Sequence, residues 1–362
     1  MASIKSSALE PTAPELETMT AGQKILRFIP VYGLPVCMLL LIILFSILLP
    51  NTFPTMLNLR SILGDKAIIA ILSLAAMIPM MTGRIDLTVG YGIVLWHIMA
   101  IALQTTLGLD WRIVIVLVLL SGCLLGLLNG LLVEIARIDS FIATLGTGTI
   151  LYAVALWYTG GRQIVGVLPK GFTEIYSWQP LGIPIVAYYV LILSLVLWVI
   201  TEYTPAGRCL YAIGANPRAA ELNGISNRRF IIGAFIASGL LGAAAGLLLA
   251  ARLRIGQASV GLEYLLPALV GAFLGSTTIR PGRVNVWGTL AGVGILAVGI
   301  SGIQQIGGDF YVEPLFNGVT LLFAIGLAGY SQKRRGRAPP KPVPELQLPE
   351  GGAKTNFVGK RS

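Results

Sequence analysis

Long apolar segments separated by short polar ones follow one another along most of the chain. A helix needs about 20 apolar residues to cross the hydrocarbon layer of a bilayer, and ten segments approach or reach this length. The pattern therefore predicts an all-α integral membrane protein, a bundle of about ten transmembrane helices. The predicted spans are 29–49, 67–81, 87–107, 113–135, 141–158, 183–200, 230–251, 262–278, 284–303 and 312–330.

Three regions follow from this pattern. Residues 1–28 form an N-terminal tail, residues 29–330 the transmembrane domain, and residues 331–362 a basic, proline-rich tail that we expect to be disordered. Within the domain, the polar segment 201–229 is a loop between two spans. The N-terminal tail lacks the apolar core of a cleavable signal, so we expect the first span to direct membrane insertion.

Charged residues are scarce and unevenly placed. Of the 362 residues, 55% are apolar and only 12% are charged, against about 25% charged in soluble domains, which excludes a soluble globular protein. With the N-terminus inside, the inner segments carry 19 lysines and arginines and the outer segments 7. Because basic residues favour the cytoplasmic side, we predict that both termini and the 201–229 loop are cytoplasmic. The net charge of +10 is then a consequence of topology, and nucleic-acid binding is not predicted.

The polar loop contains a short helix with its own start and stop signals. Asn216 is a good N-cap, Pro217 suits the first helical position, and Gly224 can end the helix. A helix of about two turns is not stable alone in water, so another element must pack on it. Two interpretations are open, a docking element for a cytoplasmic partner and an ordered loop without one.

The spans offer hydroxyls and amides where an ion-coupled carrier would need ionisable groups. His97 is the only titratable side chain well inside a span. Asn129, Thr144, Thr147 and Asn317 suit a pathway for a neutral, hydroxyl-rich solute. For each of them the alternative is hydrogen bonding between helices.

No motif for chemistry is present in the sequence. It has no G-x-x-x-x-G-K-[ST] phosphate loop, no Ser-His-Asp set and no Cys/His cluster with metal-ligand spacing, so no cofactor or metal is expected. We therefore expect a transport subunit and not an enzyme, and energy for active transport would have to come from another subunit.

Glycines recur at intervals of four along several spans. Stripes of small residues let helix backbones approach closely in lipid, so they predict a packed bundle and no particular function. The three stripes are Gly122, Gly126 and Gly130; Gly242 and Gly246; and Gly288 and Gly292.

Four stretches of the sequence, residues 82–90, residues 126–133, residues 141–146 with 159–161, and residues 204–225, resemble the permease subunits of bacterial ABC sugar importers of the ribose, xylose, arabinose and galactose type. Residues 82–90 are similar to the family's T-G-G-I-D-L-S-V-G signature, and residues 126–133 to its G-x-x-N-G-x-L-V. Residues 141–146 with 159–161 are similar to F-I-A-T-L-G…T-G-G. The most specific stretch is 204–225. The likeness runs from about the first span to Tyr330.

The resemblance implies a multi-pass protein of the bacterial inner membrane that imports a neutral sugar or polyol. It implies a second copy or a close paralogue, two ABC ATP-binding subunits docked on the loop, and a soluble periplasmic sugar-binding protein. Residues 216–224 would be the coupling helix, with Arg208 and Glu221 as polar contacts to the ATPase. The candidate residues for coupling to the ATPase are Arg208, Tyr211, Asn216, Pro217, Ala219, Ala220, Glu221 and Gly224.

The sequence departs from the family pattern at a few positions. Arg84 replaces a glycine of the signature, which is tolerable if its φ is negative. Trp96 and His97 stand where we expect small or aliphatic residues; they are candidates for lining the pathway, with packing as the alternative.

Two other functions compete with a sugar permease. A related permease for branched-chain amino acids would carry a zwitterion and should show more charge near its pathway. An autonomous secondary carrier would transport on an ion gradient without partners and would depend on His97.

Overall fold

The protein is described here by a computed structural model that covers residues 21–309 and 311–335. Its elements are α1 (Ala21–Leu48), α2 (Met56–Asp65), α3 (Ala67–Met81), α4 (Thr88–Thr105), α5 (Trp111–Glu134), α6 (Ser140–Thr159), β1 (Ile164–Val165), α7 (Lys170–Ser177), α8 (Ile185–Tyr203), α9 (Pro205–Ala215), α10 (Pro217–Leu222), α11 (Asn227–Leu253), β2 (Ile255–Gly256), α12 (Leu265–Leu274), α13 (Val286–Gln305) and α14 (Val312–Arg335). Strands β1 and β2 pair antiparallel. Short 3-10 turns lie at Pro180–Gly182 and Leu262–Tyr264.

The helices confirm a helical, multi-pass membrane protein. Within the described ranges, six helices (α4, α5, α6, α8, α11 and α13) are long and apolar enough to cross a bilayer. The pair α2 and α3, bent by 40° at Lys66, makes a seventh if it is counted as one span. Shorter apolar helical stretches at Tyr32–Leu48, Leu262–Leu274 and Val312–Phe323 coincide with three further predicted spans. The count of ten and the side of the termini stay predictions.

Several boundaries differ from the predicted ones. Helix α1 begins at Ala21, inside the predicted 1–28 tail, and α14 continues to Arg335, five residues into the predicted C-terminal tail. The remainder of both tails lies outside the described residues. The predicted span 262–278 is a 3-10 turn followed by α12, which ends at Leu274. The two-residue strands were not predicted, because so short a pairing has no period of its own.

Helix α11 lies at the centre of the bundle, against α3, α4 and α5. The α5 glycines are where it comes closest. A Cβ on Gly122 would lie 2.4 Å from the carbonyl oxygen of Gly239, and one on Gly126 would lie 2.2 Å from that of Phe235. Backbone therefore meets backbone along this contact, which confirms the packing role predicted for this stripe.

The glycines of the other two stripes also mark close contacts. Gly242 and Gly246 face the side chain of Trp96. A Cβ on Gly242 would lie 2.7 Å from the nearest atom of the indole ring, and a Cβ on Gly246 would lie 2.6 Å from the Cβ of Trp96. Gly288 and Gly292 face Gly275 and Leu274 at the contact between α13 and α12. Large exposed apolar side chains on α5, α6 and α8, such as Leu124, Ile150 and Ile192, form a surface suited to lipid.

Candidate functional site

Helix α10 marks one end of the bundle, called here the α10 end. The Oδ1 atom of Asn216 accepts a hydrogen bond from the backbone N–H of Ala219 at 3.0 Å, and Pro217 is the first helical residue. The chain leaves the helix at Gly224, which has a φ of +81°, a backbone conformation that glycine adopts with little steric strain. These contacts confirm the start and the stop that the sequence predicted.

One face of α10 is anchored and the other is exposed. Ala220 is buried in a cluster with Ile213, Ile231 and Phe235. The other residues of the helix, Pro217, Arg218, Ala219, Glu221 and Leu222, are exposed. The side chain of Leu222 is 83% exposed at the end of the helix. A helix this short needs support from its surroundings, and the described residues supply that support on one side only.

Helix α9 precedes α10 and fixes it to the bundle. A Cβ on Gly207 would lie 2.1 Å from the carbonyl oxygen of Thr201, and one on Gly214 would lie 2.1 Å from that of Met81. Leu210 and Ile213 are buried beside them. This helix was not predicted from the sequence. Its signals were Pro205 at the first helical position and small or apolar residues at intervals of three.

The ring of Tyr211 connects α9 to the turn between α12 and α13. Its hydroxyl donates to the carbonyl oxygen of Val284 at 2.8 Å, and the guanidinium carbon of Arg283 lies 3.4 Å from its ring centroid. Burial raises the pKa of the Tyr211 phenol, so the hydroxyl stays a donor at neutral pH. Arg280 of the same turn forms an ion pair with Glu202. The sequence pointed to Tyr211 but not to its partners, which are distant in sequence.

A buried polar network lies where α4 begins. Asp86 is fully buried; its Oδ1 accepts from the backbone N–H of Thr88 at 2.9 Å and its Oδ2 from the hydroxyl of Ser238 at 2.8 Å. Asn129 donates to Thr88 Oγ1 at 3.3 Å and accepts from Thr147 Oγ1 at 2.8 Å. Desolvation raises the pKa of the Asp86 carboxyl, while the bonds from Thr88 and Ser238 oppose the rise. The network joins α4, α5, α6 and α11.

Thr144 forms hydrogen bonds in the same region. Its Oγ1 accepts from the backbone N–H of Leu87 at 3.1 Å and donates to the carbonyl oxygen of Ser140 at 2.8 Å. Three of the predicted pathway residues, Asn129, Thr144 and Thr147, thus lie near one another, and each bonds a neighbouring helix or turn. This conformation favours the helix-to-helix interpretation of them.

Trp96 and His97 lie inside the bundle. The side chain of Trp96 is 2% exposed and packs against Gly242 and Gly246 of α11. His97 Nε2 accepts from the backbone N–H of Gln257 at 3.3 Å, and Nδ1 lies 3.0 Å from the carbonyl oxygen of Ile93. Because the backbone N–H must donate, the proton of the ring is on Nδ1, where it donates to Ile93. Both side chains are placed as packing residues would be.

Asn317, the last predicted pathway residue, is at the far end of the bundle, the end opposite α10. It lines a cavity of about 590 Å³ together with residues of α2, α3, α11 and α13. The structure therefore divides the predicted pathway residues among three places: the Asp86 network, the core around Trp96, and the far-end cavity.

Comparison with known proteins identifies the family. Residues 58–326 match the family model described as the branched-chain amino acid transport system / permease component. The chain is 34% identical over 287 residues to the ribose import permease protein RbsC of Bacillus subtilis, which covers 79% of this chain and 88% of that one. The chain belongs to the family of bacterial ABC sugar-importer permeases.

Two further relatives extend over most of the same length. The ribose import permease protein RbsC of Haemophilus influenzae is 31% identical over 313 residues, covering 86% of this chain and 96% of its own. The galactose/methyl galactoside import permease protein MglC of Escherichia coli K12 is 28% identical over 317 residues, covering 82% and 93%. No solved structure matches the chain significantly.

The family signature at 82–90 forms the turn into α4. Gly83 has a φ of +77°, and the Asp86 carboxylate accepts from the backbone N–H of Thr88, the first residue of the helix. Arg84, which departs from the permease pattern, has a negative φ, so the substitution strains no backbone. Its guanidinium lies 3.5 Å from the carboxylate of Glu134 on α5, and a glycine at this position could not form this ion pair.

Proposed function

We propose that this chain is the transmembrane subunit of an ATP-driven, binding-protein-dependent importer of a neutral sugar or polyol in the bacterial inner membrane. It would have ten spans and both termini on the cytoplasmic side. The observation that carries the proposal is the exposed face of α10, in a chain whose relatives are named as ribose and galactose import permeases. We propose that the chain itself hydrolyses no nucleotide and works with two ATP-binding subunits, a second permease copy or paralogue, and a soluble periplasmic sugar-binding protein.

The loop residues fall into two groups on this proposal. Arg208, Pro217, Ala219 and Glu221 are exposed and would contact the ATP-binding subunit. Tyr211, Asn216, Ala220 and Gly224 would hold α10 in its position, since they cap it, bury its inner face or tie α9 to the bundle. Leu222 joins the first group, although the sequence did not predict it as a coupling residue.

A movement of α10 would be transmitted to the transmembrane helices through α9. The Tyr211 hydroxyl holds the turn before α13 at Val284, and Arg283 lies over its ring. Docked ATPases that close on ATP would therefore shift α9 together with α12 and α13, and bias the permease between its inward- and outward-open states. Asn129, Thr144 and Thr147 would line the pathway only in a state in which their present bonds between helices are exchanged.

The description of the matching family model favours a second substrate class, branched-chain amino acids. We expect a strain lacking this chain to lose uptake of labelled D-ribose, or of another neutral sugar, and to keep uptake of labelled L-leucine. Reintroducing the chain should restore the sugar uptake. The opposite pattern, leucine uptake lost and every sugar retained, would assign the chain to the amino-acid class.

A further inference from the structure

The far-end cavity has the size of a small-molecule site. Its volume of about 590 Å³ lies within the range of roughly 300–1,000 Å³ that is usual for ligand pockets. Polar side chains from five elements line it, among them Asp65, Lys66, Arg252, Tyr264, Glu313 and Asn317. It lies beside the bend between α2 and α3, where those two helices meet the ends of α11 and α13 and the start of α14.

The charges around the cavity already have partners. Lys66 Nζ lies 3.0 Å from the carboxylate of Glu313, and Arg252 is ion-paired with Asp65. The third carboxylate, Glu263, accepts from the backbone N–H of Gly261 at 2.8 Å. A charged or zwitterionic ligand would have to displace one of these partners. A neutral ligand would not, because a paired carboxylate keeps lone pairs for further donors.

Asn317 supplies an acceptor that lacks a donor. Its side chain is 3% exposed, and its Oδ1 atom has no hydrogen-bond partner among the residues that the structure describes. Buried polar atoms are nearly always paired, because an unpaired one keeps its full desolvation cost. Asn317 lines the cavity, so a hydroxyl group bound there could donate to it.

We propose that the far-end cavity binds a neutral, polyhydroxylated ligand, a sugar, with one hydroxyl donating to Asn317 Oδ1. Other hydroxyls would donate to the paired carboxylates of Asp65 and Glu313 and accept from the phenol of Tyr264. Vicinal hydroxyls both donate and accept, which matches a lining that contains carboxylates, amides and a phenol. The inference rests on the proposed import function, in which the sugar reaches the permease from this end.

The test is equilibrium binding to the purified full-length chain in lipid nanodiscs, without partner proteins. The probes are tritiated D-ribose, D-xylose, L-arabinose and D-galactose, each with L-leucine as competitor. Asn317→Leu keeps the side-chain size and removes the acceptor, whereas Asn317→Gln keeps a neutral amide with its acceptor oxygen. The matched control is Asn51→Leu, at an exposed residue of the loop between α1 and α2.

We expect at least one of these sugars to bind saturably and leucine not to displace it. Asn317→Leu should weaken that binding about tenfold, the effect of one lost hydrogen bond. Asn317→Gln and Asn51→Leu should stay within about threefold of the original chain. The inference is overturned if none of the sugars binds, if leucine displaces them, or if Asn317→Leu binds as tightly as the original.

Failure of the proposed function would look different. An assembled importer that takes up none of the sugars in cells contradicts the import function itself. An importer that takes up sugar with the same KM when it carries Asn317→Leu contradicts only the cavity site.

Discussion

Replacing Leu222 with aspartate should abolish substrate-stimulated ATP hydrolysis by the assembled importer, with a loss of at least tenfold. The side chain is 83% exposed at the end of α10, on the face that we propose meets the ATP-binding subunit. A carboxylate in a closed interface must lose its hydration without gaining a partner, and central contacts of an interface often contribute 2 kcal/mol or more. The measurement is phosphate release by the reconstituted complex with and without sugar-loaded binding protein.

The control separates docking from folding. Leu222→Met keeps an apolar side chain of similar size and should retain stimulated hydrolysis. Both variants should insert into the membrane and unfold at nearly the same temperature as the original, because exposed substitutions away from special features change stability by about 0.5 kcal/mol or less. Stimulated hydrolysis within twofold of the original in Leu222→Asp would show that α10 does not dock there.

Replacing Gly126 with alanine should destabilise the bundle by about 1–3 kcal/mol or more, the usual cost of overpacking. The new Cβ would lie 2.2 Å from the Phe235 carbonyl oxygen and 2.7 Å from the Ile236 Cα. Both atoms belong to the α11 backbone, so no side-chain rotation relieves the clash and the two helices must separate. Thermal unfolding of the detergent-solubilised chain should therefore begin several degrees lower than in the original.

Gly233 on α11 is the matched control. A Cβ at that position meets no atom within 4 Å, so Gly233→Ala should unfold at the original temperature or slightly above it, because alanine favours a helix more than glycine does. Equal unfolding temperatures for Gly126→Ala and Gly233→Ala would mean that α5 and α11 are not in close contact in the membrane.

Local rules predicted the parts of the molecule that depend on neighbouring residues. Asn216, Pro217 and Gly224 defined α10 because capping and helix termination act over a few residues. The stripe at Gly122 and Gly126 predicted close packing for the same reason. It could not name α11 as the partner, since a stripe of small residues fits any helix of suitable shape.

The remaining features depend on residues far apart in sequence. The far-end cavity brings Asp65 beside Arg252 and Lys66 beside Glu313, whereas the sequence shows them only as scattered charges at span ends. Tyr211 and Val284 meet in the same way. Helix α9 was hidden because its inward face is made of glycines as much as of apolar residues, and glycine alone predicts a turn more readily than a helix.

The central claim is that the chain moves sugar only when ATP-binding subunits act on it. The direct measurement is accumulation of labelled D-ribose, or of the sugar that complements the deletion strain, in proteoliposomes. The liposomes contain either the chain alone under a proton or sodium gradient, or the chain with its ATP-binding subunits, binding protein and ATP. We predict accumulation only in the complete, ATP-supplied system. Accumulation by the chain alone on an ion gradient would contradict the account.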